Sequence, residues 1–363
     1  LAKKFIIAGG GTGGHIFPAI AIANAIKMIM PNAQFLFVGA KGKMEMEKVP
    51  KAGFAIVGLD IAGFDRSAMF KNISLPFKLI LSFLQVIKIF RRFRPDAVIG
   101  VGGYSSFPVL RFAQAHGIKT FIHESNSFAG KANILLGKKA AKIFVATKGM
   151  DQFFPSDKIV ITGNPVRKSI AECTLSRNTA IAFFGLNPTK KTVLAVGGSL
   201  GAKSINEALL NGLQAFEQNN IQLIWQTGKQ GSSIYKEAAS LQRHIWISDF
   251  IQEMEYGYAA ADLVISRAGA MAVTELAVVG KPAVLVPYPH AAEDHQTANA
   301  LQLVNEEAAM IVSDAETKEH LVKTVIDLVK NEDELNTLTT NIKKLAILNA
   351  DHLIANEILK MIS

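Results

Sequence analysis

The chain predicts an α/β protein built from two doubly wound, Rossmann-like domains, and three features of its sequence carry that expectation. Short runs rich in Val, Ile and Phe recur, apolar throughout, and most end in glycine or a polar turn, as strands buried on both faces of a parallel sheet require. Stretches with helical spacing, such as NEALLNGLQAFEQ and AMAVTELAVVG, lie between them. The alternation pauses at a turn-rich segment, ITGNPVRKSI, and restarts by Thr192.

Taken in order, KKFIIAG, AQFLFVGA, DAVIGVGG, KTFIHES and KIFVAT read as strands of the first domain. KTVLAVGG, IQLIWQTG, HIWISDF, ADLVISRAG and PAVLVPY read as strands of the second. Gly163, Asn164 and Pro165 are turn formers, which puts the boundary there: residues 1–163 for the first domain and 164–363 for the second. The stretch from Asn331 to Ser363 is helical by periodicity, contains no strand, and is expected as a tail of the second domain. A length of 363 residues suffices for two separate cores. The opening LAKKFIIAGGG has only a short apolar run before its glycines and reads as a first strand, not a secretory signal. The lone Cys173 precludes an internal disulfide and suits a reducing compartment.

A net charge of +9 points to anionic partners: phosphorylated substrates, an anionic membrane or nucleic acid. Zinc-ligand cysteines, RNP-type aromatic strands and arginine-rich blocks are missing from the sequence, so nucleic acid is not expected. Four glycine loops follow predicted strands, at Gly9–Gly14, Gly102–Gly103, Gly197–Gly201 and Gly269. Glycine lets backbone N–H groups approach a ligand closely, and a following helix N-terminus attracts an anion. Ligands of open α/β sheets bind beyond the carboxyl ends of the strands, so two facing sheets would line a cleft with these loops.

Gly9, Gly11 and Gly14 fit the G-x-G-x-x-G spacing of a dinucleotide site. Such a site also needs an acid at the end of the second strand to hold the ribose, and Gly39, Ala40 and Lys41 stand there instead. NAD is therefore disfavoured, and an NADP oxidoreductase survives only through Lys41. A carboxylate suited to a ribose appears in SRAGAMAVTEL as Glu275, which moves the expected nucleotide to the second domain.

The segments GGGTGGHIFPAIAIA, GVGGYSSFP, HESN, TGNPVR, AVGGSLGA, SRAGAMAVTELA and PYPHAAEDHQTANA, in this order and spacing, resemble the MurG family of bacterial glycosyltransferases. The resemblance extends from the first strand to about Ala300; Ser125 stands where many members carry glutamine. It implies a GT-B architecture and transfer of N-acetylglucosamine from UDP-GlcNAc to lipid I, giving lipid II for peptidoglycan synthesis. It further implies a peripheral position on the cytoplasmic face of the bacterial inner membrane, with wall-synthesis proteins as partners. Carried over by motif, Thr12, Gly13, Gly14, Asn126 and Arg167 approach the donor from the N-terminal side. Ser199 and the segment Ala270, Met271, Ala272, Val273, Thr274 hold the diphosphate, Glu275 the ribose, Ile251 the uracil through its backbone, and Gln296, with Asn299, the sugar. A glycolipid synthase acting on diacylglycerol shares the fold, but the GGTGGH, GGY and HESN loops argue against that acceptor.

Independently of the resemblance, a serine hydroxyl and helix-terminal N–H groups can stabilise a leaving diphosphate. The sequence has no Asp-x-Asp pair, so neither metal nor other cofactor is expected. His15, at a helix N-terminus where the dipole favours neutral imidazole, is a candidate general base, and Glu124 is a second. Gly102, Gly103, Tyr104 and His123 are candidates for the acceptor side, with His123 and Tyr104 serving either the acceptor pocket or the core.

SLPFKLILSFLQVIKIFRRFRP is a strongly amphipathic stretch, interrupted by Lys78, Gln85 and Lys88 and too short to span a bilayer. As a helix it groups Phe77, Ile80, Leu81, Leu84 and Ile87, with a second stripe of Leu79, Phe83, Val86 and Phe90. Lys78, Ser82, Gln85 and Arg92 are expected on its polar side, and Lys88, Arg91, Arg92 and Arg94 add positive charge. Such a pattern suits either a helix buried between the sheet and a neighbouring helix or an interfacial one; the lipid-linked acceptor that the resemblance implies favours the second, a membrane face containing Leu79, Phe83, Lys78 and Arg91 and resting on anionic lipid.

Overall fold

The computed structural model describes residues 2–62, 75–239 and 242–362, the side chains of Leu75, Pro76 and Ala292 excepted. The chain forms two compact units, one of Leu1–Val166 with Ile347–Ser363, the other of Arg167–Ala346.

The first unit is organised on a parallel sheet of β1 (Lys4–Ala8), β2 (Gln34–Ala40), β3 (Ala55–Leu59), β4 (Ala97–Gly100), β5 (Lys119–Glu124), β6 (Lys142–Val145) and β7 (Ile159–Ile161). Their order across the sheet is β3-β2-β1-β4-β5-β6-β7. β1 lies between β2 and β4, with Phe5 in register with Phe35 and Ala97. Its alternate residues serve two layers, as a strand's two-residue period dictates. Phe5 and Ile7 join the core beneath helices Gly13–Ile29 and Ala350–Ile362. Ile6 joins the core beneath helices Leu75–Phe93 and Ser106–Ala115.

The second unit repeats the plan with β8 (Lys191–Val196), β9 (Ile221–Gln226), β10 (Ile245–Ser248), β11 (Leu263–Ser266), β12 (Ala283–Leu285) and β13 (Met310–Ile311). Their order is β10-β9-β8-β11-β12-β13, again parallel. Strand order reverses between β1 and β4 in the first unit and between β8 and β11 in the second. Those are the topological switch points where loops diverge and ligands are received.

All ten strands read from the sequence are present. The three added by the structure, β3, β7 and β13, are edge strands whose residues are mostly half-buried or exposed. They are apolar but short, β7 with 3 residues and β13 with 2, and runs that short carry no periodicity to read.

The tail departs from expectation. Helix Ala350–Ile362 belongs to the first unit, where Ile354, Ala355 and Ile358 are fully buried beside helix Gly13–Ile29. Lys3 Nζ donates to the carbonyl of Ile362 and Lys119 Nζ to that of Met361, so two lysines of the first unit satisfy the helix's terminal acceptors. Helical periodicity reports that a face must be covered and is silent about which sheet covers it. The chain passes into the second unit at Arg167, three residues beyond the expected boundary.

Helix Leu75–Phe93 is also turned differently from the sequence reading. Ser82, expected on the polar outer side, is fully buried and donates to the Leu79 carbonyl at 2.6 Å. Gln85, expected there too, accepts from Asp60 N–H at 2.9 Å and donates to the Asp60 carboxylate. Val86, Ile89 and Phe90 enter the core, and Phe77, Ile80 and Leu84 face outward. Polar groups with local partners can be buried, which a simple hydrophobic–polar division of the helix ignores.

Candidate active site

At the switch point of the first unit, the loops after β1 and β4 interlock through glycine. Gly9 N–H donates to Val38 O and Gly10 N–H to Gly102 O. A Cβ on Gly9 would lie 2.4 Å from Gly102 O, and one on Gly103 2.5 Å from Gly10 O, so no side chain fits either position. The contact brings Gly102 and Gly103, expected on the acceptor side, against the loop that leads to His15.

Helix Gly13–Ile29 starts directly from this loop. Its N-cap Thr12 makes no side-chain cap, and its first turn holds no acid, so Gly13 and Gly14 occupy an anion-receptive turn. His15 Nδ1 lies 3.0 Å from Gly10 O and 3.4 Å from Thr12 Oγ1. Because a carbonyl can only accept, the Nδ1 proton points to Gly10, which leaves Nε2 as the acceptor. Nε2 sits beside Gly102, where a Cβ would come within 2.8 Å of it.

Glu124, the alternative base, is occupied otherwise. Its Oε1 accepts Asn126 N–H at 3.1 Å and Asn126 Nδ2 at 3.3 Å; its Oε2 accepts Gly130 N–H at 3.1 Å and Asn133 Nδ2 at 2.8 Å. Buried, with four donors, it braces the 125–133 loop and orients Asn126. His123 resolves toward the core: it is fully buried, and burial first, then the neighbouring His15 charge, lowers its pKa from 6.5 to about 4. Tyr104 is exposed at the tip of the β4 loop. Ser125 donates to Gly14 O at 3.3 Å and accepts from Asn164 Nδ2 through its carbonyl at 3.0 Å, tying the β5 loop to the first helical turn.

One residue of this site escaped the sequence reading. Glu45, five residues past the end of β2, is 1% exposed. It accepts Ala40 N–H at 3.0 Å and Gly11 N–H at 2.8 Å. The acid sought at the end of β2 is therefore present nearby, folded inward under the glycine loop. Lys41, on which an NADP reading depended, pairs with Asp60 at 2.6 Å.

In the second unit, the β8 loop carries Ser199 exposed at its crest before helix Lys203–Gln218. After β11, helix Ala270–Val279 begins from Gly269 with neither a side-chain cap nor an acid in its first turn. Met271, Ala272, Val273 and Thr274 are half-buried along that start, and Thr274 Oγ1 donates to Ala270 O. Glu275 accepts from Tyr258 O–H at 2.9 Å and from Arg167 Nη2 at 3.4 Å. Burial raises its pKa, opposed by Arg167 and by the Tyr258 hydrogen bond. Arg167, expected on the N-terminal side, thus belongs to the second unit and steadies Glu275. Ile251 is buried and commits its N–H to Gln226 Oε1 at 2.9 Å.

Arg267, also unmarked by the sequence reading, ties several loops together. Its guanidinium donates to Val286 O, Pro287 O, Asp314 Oδ1 and Ser204 Oγ and lies over the Tyr288 ring. Tyr288 N–H in turn donates to Gln296 Oε1 at 3.0 Å, and Asn299 Nδ2 to Ala268 O at 3.1 Å. Buried Tyr258 and half-buried Arg267 have no spacing signature; they are recognisable only by what they touch.

Residues 5–145 match the glycosyltransferase family 28 N-terminal domain and residues 192–354 its C-terminal domain. A UDP-N-acetylglucosamine--N-acetylmuramyl-(pentapeptide) pyrophosphoryl-undecaprenol N-acetylglucosamine transferase of Parabacteroides distasonis is 50% identical over 361 residues, covering 99% of this chain and 98% of the relative. The protein of the same name from Phocaeicola vulgatus is 51% identical over 362 residues, covering 99% and 96%. Among solved structures, MurG of Acinetobacter baumannii superposes with a TM-score of 0.80 at 29% identity, over 99% of this chain and 100% of that one.

Proposed function

The chain belongs to the family of UDP-N-acetylglucosamine--N-acetylmuramyl-(pentapeptide) pyrophosphoryl-undecaprenol N-acetylglucosamine transferases, and from that membership we propose how its own residues perform the reaction. The enzyme transfers N-acetylglucosamine from UDP-GlcNAc to lipid I, forming lipid II for peptidoglycan synthesis. In our reading the C4 hydroxyl of the muramyl sugar attacks the anomeric carbon, the bond to UDP breaks on the opposite face, and configuration inverts in a single displacement. His15 Nε2 takes the hydroxyl proton. A neutral acceptor nitrogen held by a hydrogen bond at the other ring nitrogen is what a general base requires. Glu124, its oxygens engaged by four donors, is a brace in this reading.

The donor belongs to the second unit. What carries this assignment is the acid-free, uncapped start of helix Ala270–Val279 with Glu275 presented further along the same helix. Helix-terminal N–H groups and the Ser199 hydroxyl stabilise the departing diphosphate, and Glu275 accepts hydrogen bonds from the ribose. Ile251 offers its carbonyl to uracil, and Gln296, held by Tyr288 N–H, reads the sugar. Thr12, Gly13, Gly14 and Asn126 are the first unit's candidates for the donor, and Gly102, Gly103 and Tyr104 its candidates for the acceptor.

Among the described residues no helix is long and apolar enough to cross a membrane. Phe77, Ile80 and Leu84 are nevertheless 65%, 60% and 57% exposed on helix Leu75–Phe93, with Leu79 beside them and Lys88, Arg91, Arg92 and Arg94 exposed at the helix's far end. An apolar face with basic residues close by suits peripheral attachment to anionic lipid at the cytoplasmic face, where a lipid-linked acceptor is met.

The test is transfer of labelled N-acetylglucosamine to a short-chain lipid I analogue. His15→Ala lowers kcat by ~10²–10⁴-fold while calorimetry still reports UDP binding; Glu275→Gln chiefly raises the donor KM. Undiminished kcat in His15→Ala overturns the base assignment.

A further inference from the structure

The glycine loop after β1 contains one peptide unit engaged at both ends by ionisable side chains. Its N–H, from Gly11, donates to Glu45 Oε2 at 2.8 Å, and its C=O, from Gly10, accepts the His15 Nδ1 proton at 3.0 Å. We propose that Glu45 is a positioning residue for the transfer reaction, acting through the Gly10–Gly11 peptide to hold His15 with its proton on Nδ1 and Nε2 as the acceptor. The proposal rests on the reading of His15 as the base and adds the group that sets its tautomer.

Two physical effects act along this path. A carboxylate accepting an N–H polarises the peptide, and a polarised carbonyl is a better acceptor for the imidazole proton, because hydrogen bonds in series reinforce one another. A histidine whose second nitrogen is anchored this way has one defined tautomer and ring orientation. The arrangement is a carboxylate–histidine pair with a peptide inserted between its members.

The packing shows that this connection is built in. Glu45 is 1% exposed, and its other oxygen is fixed by Ala40 N–H at 3.0 Å. Gly10 has φ +144°, and a Cβ there would lie 2.4 Å from the Glu45 carboxyl carbon; one on Gly39 would lie 2.5 Å from Glu45 Cγ. Both glycines thus make room for the buried acid. The preceding N–H, of Gly10, is held by Gly102 O at 3.2 Å, so the peptide cannot turn without breaking the contact between the two loops. An internal carboxylate also occupies an N–H that a dinucleotide loop would offer to phosphate. For anions this leaves the first turn of helix Gly13–Ile29, which explains why a G-x-G-x-x-G spacing here serves a different purpose.

The experiment uses the full chain labelled with ¹⁵N-histidine, the His15 signals assigned by their loss in His15→Ala. In the wild-type protein at neutral pH the ¹⁵N shifts are expected to report a proton on Nδ1 and a bare Nε2. Glu45→Gln places an amide opposite two N–H donors, so one loses its acceptor. Its expected signature is mixed His15 tautomers and a kcat lowered ~10–100-fold, with the donor KM within about 2-fold of wild type. A wild-type His15 protonated on Nε2 overturns the proposal, and this reading needs no Glu45 variant to fold. Unchanged tautomer and unchanged kcat in Glu45→Gln overturn it equally. The base assignment fails separately, through an active His15→Ala enzyme, so the two failures are told apart.

Discussion

At the scale of single residues, burial decides what each polar group can do. Glu124 and Glu45 are both nearly inaccessible carboxylates, at the end of β5 and just after β2, yet Glu124 spends its oxygens on its own loop and Glu45 reaches the loop beside His15. His123 is buried without charge, and its cost is measurable. Its pKa falls from 6.5 to about 4 on folding, chiefly by burial. Between those values the unfolded chain binds a proton that the folded one refuses, so stability falls as pH drops through 6.5 and levels off below 4. The whole effect amounts to about 3 kcal/mol. Urea denaturation at pH 7.5 and 4.5 should show the first unit losing most of that amount, and His123→Gln should largely remove the difference. An unchanged difference in the variant would assign the acid sensitivity to other groups. His15, Glu275 and the glycine loops were legible in the sequence because chemistry confines such residues to strand ends and helix starts. Glu45, Tyr258 and Arg267 were not, since their roles come from contacts across 34, 17 and 47 positions of chain.

At the scale of elements, helix Leu75–Phe93 has two apolar faces and can bury one. The face with Val86, Ile89 and Phe90 enters the core, with Ser82 satisfied by the Leu79 carbonyl of its own helix and Gln85 by Asp60. Phe77, Ile80 and Leu84 are left exposed. Replacing these three with serine should weaken sedimentation with phosphatidylglycerol vesicles at least ~10-fold, as expected when several half-exposed side chains each lose ~1 kcal/mol of burial in lipid. The melting temperature should hardly change, since no core contact is lost. Unaltered vesicle binding would remove this helix from the membrane assignment. Val86→Ala gives the opposite pattern, a less stable protein that still binds vesicles.

At the scale of the whole molecule, the chain leaves the first unit at Val166 and returns to it at Ile347. Ile354 and Ile358 are fully buried there, each contributing roughly 1.5–3 kcal/mol by burial. Ile358→Ala should therefore cost ~2–5 kcal/mol. Removing residues 347–363 should lower hydrogen-exchange protection in β1 and helix Gly13–Ile29 and leave β8, β9 and β11 protected. Loss of protection confined to the second unit would contradict the assignment of the tail.

Local chemistry was enough to establish the two α/β sheets, the glycine loops at their strand ends, the helix starts suited to a diphosphate, and the candidacy of His15 and Glu275. Each follows from periodicity or residue type over a dozen positions, so a linear reading reaches it. Which unit receives the last helix, which face of helix Leu75–Phe93 turns outward, and which buried acid stands behind His15 were settled by packing. Those outcomes depend on partners far apart in the chain, and an amphipathic pattern or a lone glutamate specifies that a partner is needed without specifying which one.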